Sequence, residues 1–244
     1  MKSTLYFAAT TALAAGLLGC GSDFTNEPAG GAAGSGDSAG SGTATLLVSG
    51  HVDATESVDN GASSSQFQVE LSVEVWRGSE PVDDATVEIV PIGGQPLVLQ
   101  SAGQGTALYL GAGAGYHETY GIAVTAGSDT LSGAQVDGPD IHVFSRPTPG
   151  QVIAPETDLE VRWDRSSPAD EATIETDELE ETLIADEGSY TIDGAYFEGR
   201  DDGLEEDRLT IRRTNFVELA GGVPGSLLRV SLRNRVEFQI DLAP

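Results

Sequence analysis

One cysteine, one methionine, two tryptophans and three histidines are all that a chain of 244 residues holds of those types. A lone cysteine has no partner within the chain, so no disulfide framework can hold the fold. Cations are scarce as well: 12 lysines and arginines stand against 39 acidic residues, for a formal charge of -27. Affinity for nucleic acid comes largely from neutralised phosphates, and a chain this acidic is expected to repel it. Lys2 is the only lysine. Beyond it, Schiff-base chemistry, a Ser-Lys dyad and a phosphate-loop lysine have no residue to use. His51, His117 and His142 lack metal-pair spacing, and His117-Glu118-Thr119-Tyr120-Gly121 fails the His-Glu-x-x-His pattern at its last place.

What is present begins with a leader. Lys2 is followed by an apolar run from Leu5 through Leu17-Leu18, too short and alanine-rich for a permanent span. It ends in Leu17-Leu18-Gly19-Cys20, which resembles the lipobox of bacterial lipoproteins. That resemblance implies cleavage before Cys20, acylation of Cys20 and attachment to a lipid bilayer, with residues 1–19 as the signal peptide. Gly21 in place of Asp implies export to the outer membrane. Residues 20–42 are mostly glycine, serine and alanine with a few acids, and cannot bury enough apolar surface to offset their ordering entropy. A flexible tether is expected there. Gly36-Asp37-Ser38-Ala39-Gly40 matches the nucleophile-elbow pattern, yet no strand-forming run precedes it and no apolar helix follows.

From Thr43 onward the apolar period is two rather than 3.6, which predicts an all-β chain. Phe67, Val69, Leu71, Val73 and Val75 alternate with polar residues, and further short strands are expected at 45–52, 85–90, 97–99, 107–110, 120–125 and 141–144. Gly78, Pro81, Val82, Ala85 and Val87 form a strand-turn-strand segment that resembles immunoglobulin-like or carboxypeptidase-regulatory-like modules of bacterial surface proteins. The resemblance implies antiparallel β-sandwiches. Pro147-Thr148-Pro149-Gly150 breaks the alternation, predicting two independent modules, 43–148 and 151–244. The second closes with Leu228, Val230, Leu232, Val236, Phe238, Ile240 and Leu242 on one parity, interrupted by Asn234. One strand of that length would run about 50 Å, too long for such a module, so Asn234 is expected to mark a bend, a bulge or a turn. Glu178–Asp186, with Leu179, Leu183 and Ile184, is expected as a short helix. A strand pair is expected at 190–192 and 209–211.

Two clusters are candidate sites. Tyr116, His117 and Tyr120 follow Gly111-Ala112-Gly113-Ala114-Gly115, which reads as a wide, mobile connection. At a module edge these rings would bind a ligand by stacking on sugars, or simply border the core. The other candidate is a calcium site built from Asp201, Asp202, Glu205, Glu206 and Asp207, since crowded carboxylates repel and a hard cation relieves that repulsion. The spacing is not that of a helix-loop-helix calcium site. In a reading without metal, Arg229, Arg233 and Arg235, on the parity opposite the apolar residues, pair with the acidic segment from Asp170 to Asp207; in another, the acids are simply solvated. These features together lead us to expect a non-catalytic, lipid-anchored cell-envelope module that binds or spaces an envelope protein or polysaccharide. The alternative is a polysaccharide-active hydrolase using paired carboxylates.

Overall fold

A computed structural model describes residues 37–197 and 203–241. In its first half the chain forms β1 (Ser38–Gly42), β2 (Leu47–Glu56), β3 (Phe67–Arg77), β4 (Glu80–Pro81), β5 (Thr86–Pro91), β6 (Leu97–Val98), β7 (Gln100–Ser101), β8 (Leu108–Ala114), β9 (Thr119–Ala126) and β10 (Asp129–Asp137). The second half adds β11 (Phe144–Arg146), β12 (Val152–Ile153), β13 (Leu159–Trp163), β14 (Glu171–Glu175), β15 (Thr182–Ile184), β16 (Ser189–Ile192), β17 (Leu204–Glu218) and β18 (Leu227–Asp241). Apart from two short 3-10 turns, the regular structure among these residues is all β.

The expected pair of closed, consecutive sandwiches is not what forms. One ten-stranded sheet runs β15-β14-β17-β18-β2-β3-β8-β7, with β12 beside β18 and β4 beside β3. Its centre is the parallel pair of β18 with β2, in which Leu228 faces Gly50 and Leu232 faces Ala54. Two smaller sheets cover this large one: β1-β10-β9-β5-β6 and β11-β13-β16. The described residues accordingly fall within a single unit. Residues 43–148 and 151–244 therefore share a sheet and are not independent modules.

The long alternation explains how. Successive strand side chains point to opposite faces, and Leu228, Val230 and Leu232 enter one apolar core while Val236, Phe238 and Ile240, on the same parity, enter another. Both smaller sheets thus lie on one face of the large sheet. β18 stays a single strand along its whole length, paired residue by residue with β17 from Leu227 to Asp241. No bend is needed, because the strand serves two cores instead of one.

Asn234 stands where one core gives way to the other and is fully buried. Its amide donates to the carbonyls of Gly61 at 2.8 Å and His142 at 2.6 Å, and its Oδ1 accepts the Gly61 N–H at 3.0 Å. Close by, Asn60 donates to the Phe144 carbonyl at 3.0 Å and accepts the Phe144 N–H at 2.8 Å. Buried polar groups must be paired; here side-chain amides serve loop backbone at the join. The proline-glycine segment is held alongside as well, with the Gly150 N–H donating to the Glu237 carbonyl and β12 running parallel to β18.

Several local expectations change. Residues 38–42, expected in the tether, form an edge strand against β10, with Ser38 opposite Gln135 and Gly42 opposite Leu131. Backbone pairing at an edge does not require apolar side chains. Gly40 has φ +73 and a Cβ there would lie 2.5 Å from the Ala134 nitrogen, so glycine is required. The glycine-rich run 111–115 is not a mobile connection: most of it is β8, paired with β3, and Gly111 and Gly113 leave room for Leu99 and Leu97. The helix expected over Glu178–Asp186 is absent. Thr176 instead accepts the Glu178 and Leu179 N–H groups through its hydroxyl, and Thr182–Ile184 forms β15 against β14. β16 and β17 contain the two strands expected at 190–192 and 209–211, but pair with β13 and with β14 and β18, respectively, not with each other.

Candidate functional site

Cys20, Asp201 and Asp202 lie outside the described residues. Glu205, Glu206 and Asp207 are consecutive in β17, so Glu206 projects to the face opposite its two neighbours and the three cannot converge. Asp207 is buried; its Oδ1 accepts the backbone N–H of Asp177 at 3.0 Å and of Arg208 at 2.6 Å, while its Oδ2 has no hydrogen-bond partner. Burial pushes its carboxyl up to about 6 against those hydrogen bonds. Among the described residues, no three His, Cys, Asp or Glu side chains gather as a metal-binding set.

Tyr116 and Tyr120 are core residues, 3% and 1% exposed, with ring centroids 6.1 Å apart. The Tyr116 hydroxyl donates to the Pro139 carbonyl at 2.6 Å, and the Tyr120 hydroxyl accepts the His117 N–H at 2.9 Å. Burial raises both phenols, Tyr120 to about 12. Of the cluster, only Tyr120 and His117 line a small hollow of about 160 Å³, beside Leu97 and Gly113. The stacking platform is therefore not formed by the two tyrosines, whose rings are spent on packing.

His142 is wholly buried beside the join, its ring 5.8 Å from that of Phe144 and both ring nitrogens without a hydrogen-bond partner. Burial first, then the Arg213 guanidinium, lowers it to about 3, so it is neutral. Arg213 has no exposed surface. It donates to the Asp186 Oδ2 at 2.9 Å, the Asp140 carbonyl at 2.8 Å and the Ser167 carbonyl at 2.5 Å. Asp186 also accepts the Trp163 indole N–H at 3.0 Å and the Ala169 N–H at 2.7 Å. With the Arg213 nitrogens and both Asp186 oxygens engaged, the Arg213–Asp186 pair is structural.

The remaining polar assembly was not foreseen. Among the described residues no layer lies over the other face of the large sheet, and cross-strand register sorts the side chains there into rows. One row runs His51, Arg229, Phe216; the next Asp53, Ser231, Thr214, Glu171; the third Thr55, Arg233, Arg212, Thr173. These rows floor two adjoining depressions of about 350 and 640 Å³, and Asp53 and Arg212 line both. Some of the groups are already engaged. The Thr214 and Ser231 hydroxyls share a hydrogen bond of 2.9 Å, Thr173 donates to Glu181 at 2.8 Å, and Arg229 pairs with Glu171 at 3.3 Å while lying 5.2 Å from the Phe216 ring centre. Arg212 and Asp53, by contrast, have no side-chain hydrogen bond or ion pair with any described residue.

The arginine parity seen in the sequence holds here in part. Arg229 meets Glu171 of the acidic segment, but Arg233 and Arg235 turn to Glu56, at 3.8 and 3.2 Å. The Glu56 carboxylate is buried, and its desolvation outweighs the two arginines, leaving it raised. A sequence signal for the site existed: the outward parity of β2 and β18 carries histidine, acids, hydroxyls and arginines instead of a uniform solvated charge.

No family model matches the chain, and no curated protein matches it. Among solved structures, the fibronectin(III)-like modules of CbhA from Clostridium thermocellum align with 81% of this chain and 94% of that one, at 10% identity and a TM-score of 0.27. A beta-1,2-glucanase from Parabacteroides distasonis aligns with 85% of this chain at 9% identity and a TM-score of 0.21, and the alignment spans 38% of that enzyme. Both scores lie below 0.5, so the architecture rests on the strand pairing described above.

Proposed function

We propose that this chain is a non-catalytic, extracytoplasmic immunoglobulin-like β module, anchored through acylated Cys20 in the outer membrane, that displays one face of its large sheet to an envelope partner. The observation that carries the display is the sheet itself: one face is buried under two smaller sheets, and the other is a polar floor built on paired strands. Binding groups on rigid strands keep their geometry better than groups on loops. The anchor is supported by Leu17-Leu18-Gly19-Cys20 after an apolar run. Two or more acyl chains hold a protein stably where one gives only marginal attachment. Among the described residues no helix is long and apolar enough to cross a membrane.

The test is mass spectrometry of the full chain purified from the membranes of a Gram-negative host. The expected product begins at Cys20 and carries a diacylglyceryl group, and Cys20→Ala abolishes that product. A soluble protein with an unmodified Cys20 thiol overturns the anchor.

A further inference from the structure

We propose that the open face of the large sheet binds a neutral, polyhydroxylated chain, a segment of uncharged polysaccharide laid across β2, β18, β17 and β14. This rests on the reading of the protein as a non-catalytic binding module and names the chemistry of what it binds.

The lining selects among ligand classes. The smaller depression is bordered entirely by charged, hydroxyl and imidazole side chains, so an acyl chain or an apolar peptide anchor seated there would cover charged and hydroxyl groups without pairing them. Its charges are of both signs: Arg212 and Arg229 against Asp53, Glu171 and Glu181, a formal charge of -1 over these five side chains. A polyanion meets those carboxylates within a protein of charge -27, and a cation meets Arg212, which reaches both depressions. An extended peptide that adds as a strand needs a free sheet edge, and β2, β18 and β17 are each paired on both sides.

A sugar hydroxyl suits this floor because it donates one hydrogen bond and accepts two. Arg212 offers only donors and Asp53 only acceptors, and neither is satisfied by a described residue. They sit two strands apart and one row offset, roughly 12 Å at strand and residue spacing, with Ser231 on the strand between them and Thr214 beside Arg212 on its own strand. A ligand that carries hydroxyls at short intervals satisfies both ends and the middle, whereas a single small group reaches one. The cost of leaving such groups without partners is paid only where water is displaced, so the interaction is selective for a chain that fits.

Calorimetric titration of the full chain tests this, using hexasaccharides of neutral glucose, mannose and galactose polymers and, as the anionic counterpart, a galacturonate hexamer. At least one neutral hexasaccharide is expected to give saturable heat, weakened at least tenfold by Arg212→Ala and by Asp53→Ala. Both residues project from an exposed face, and the melting temperature of each variant is expected to match the wild type. No saturable heat from any neutral hexasaccharide overturns the proposal. So does binding that both substitutions leave unchanged, or tighter binding of the galacturonate hexamer. Chromatography of the recovered sugar separates this result from the parent reading: shortened products show turnover, so the non-catalytic reading fails while the site stands.

Discussion

The core under the five-stranded sheet is lined by aliphatic and tyrosine or phenylalanine side chains, whereas the core under β11, β13 and β16 is bordered by Arg213, Asp186, Asp207 and His142. The first draws on Val48, Val73, Ile89, Val124 and Val136, each essentially inaccessible to water. The second has a three-stranded roof, and its margin is completed by an arginine that ties Asp186, Asp140 and Ser167 together. Burial of each large apolar side chain contributes roughly 1.5–3 kcal/mol, so the broader core is stabilised by area. The narrower one adds directional bonds, which fix its loops but leave it sensitive to the loss of any one partner. The shared strand β18 links the two, and that link makes the contrast testable.

The largest effect is expected from cutting the chain at the proline-glycine segment. Residues 43–148 alone lack Leu219, Leu228, Val230 and Leu232, four buried members of the first core. At the same rate per side chain that is roughly 6–12 kcal/mol, on the scale of the about 5–15 kcal/mol that holds a domain folded. Neither 43–148 nor 151–244 is expected to melt cooperatively alone, whereas the intact chain is expected to show one transition by circular dichroism. Two independent cooperative melts would restore separate modules and refute the shared-sheet account.

Next in size is Arg213→Ala. Removing the guanidinium leaves the buried Asp186 carboxylate with only the more distant Arg165, 4.0 Å away, as a cationic partner, a loss of about 3 kcal/mol, the lower end for a buried pair broken on one side. Arg229→Ala, which breaks the more exposed pair with Glu171, is expected to cost less than about 1 kcal/mol. Urea unfolding at pH 7 measures both. Because β17 and β18 run through both cores, Arg213→Ala is expected to lower a single midpoint. A separate early transition of the second core alone would show that the shared strands do not couple the two.

Much of this was legible in the sequence, and the failures have specific causes. Alternation marked Phe67 to Val75 and Leu228 to Ile240 because one face of each strand is buried, and the inward parity named there is the parity found in the cores. The pairing of β18 with β2 was not legible, since nothing local relates residues 227–233 to 49–55. Asn234 was noticed as the odd residue on an apolar parity, but its meaning depends on Gly61 and His142, far away in sequence. Arg213 shares the inward parity of Leu209 and Ile211, a signal that could have marked it as buried. β10 went unforeseen because Asp129–Asp137 is largely polar and earns its place by pairing. The open face escaped notice for the same reason: its rows exist only once the strands are in register.

A further effect concerns acid and base, and sets two groups that border the second core against each other. His142, lowered to about 3, is neutral in the fold, while an unfolded histidine titrates near 6.5. As pH falls from about 6.5 toward 3 the unfolded chain takes up the proton first, so this group removes stability on acidification. Asp207 has the opposite sign: raised to about 6 from 3.8, it takes up a proton in the fold first, so its penalty is complete above about 6 and is relieved as pH falls toward 3.8. Between about pH 4 and 6 the two oppose one another and flatten the stability profile. Asp207→Asn keeps an oxygen to accept the Asp177 and Arg208 N–H groups while removing the charge. It is expected to stabilise the protein at pH 7 by on the order of 1–2 kcal/mol, part of the charge penalty being replaced by an unpaired amide N–H. Thermal melts from pH 4 to 7 should show that gain shrinking with acid and the variant losing stability more steeply than the wild type, because the His142 effect is no longer offset. A gain independent of pH would mean that Asp207 titrates alike in the folded and unfolded chain, and would place the opposition elsewhere.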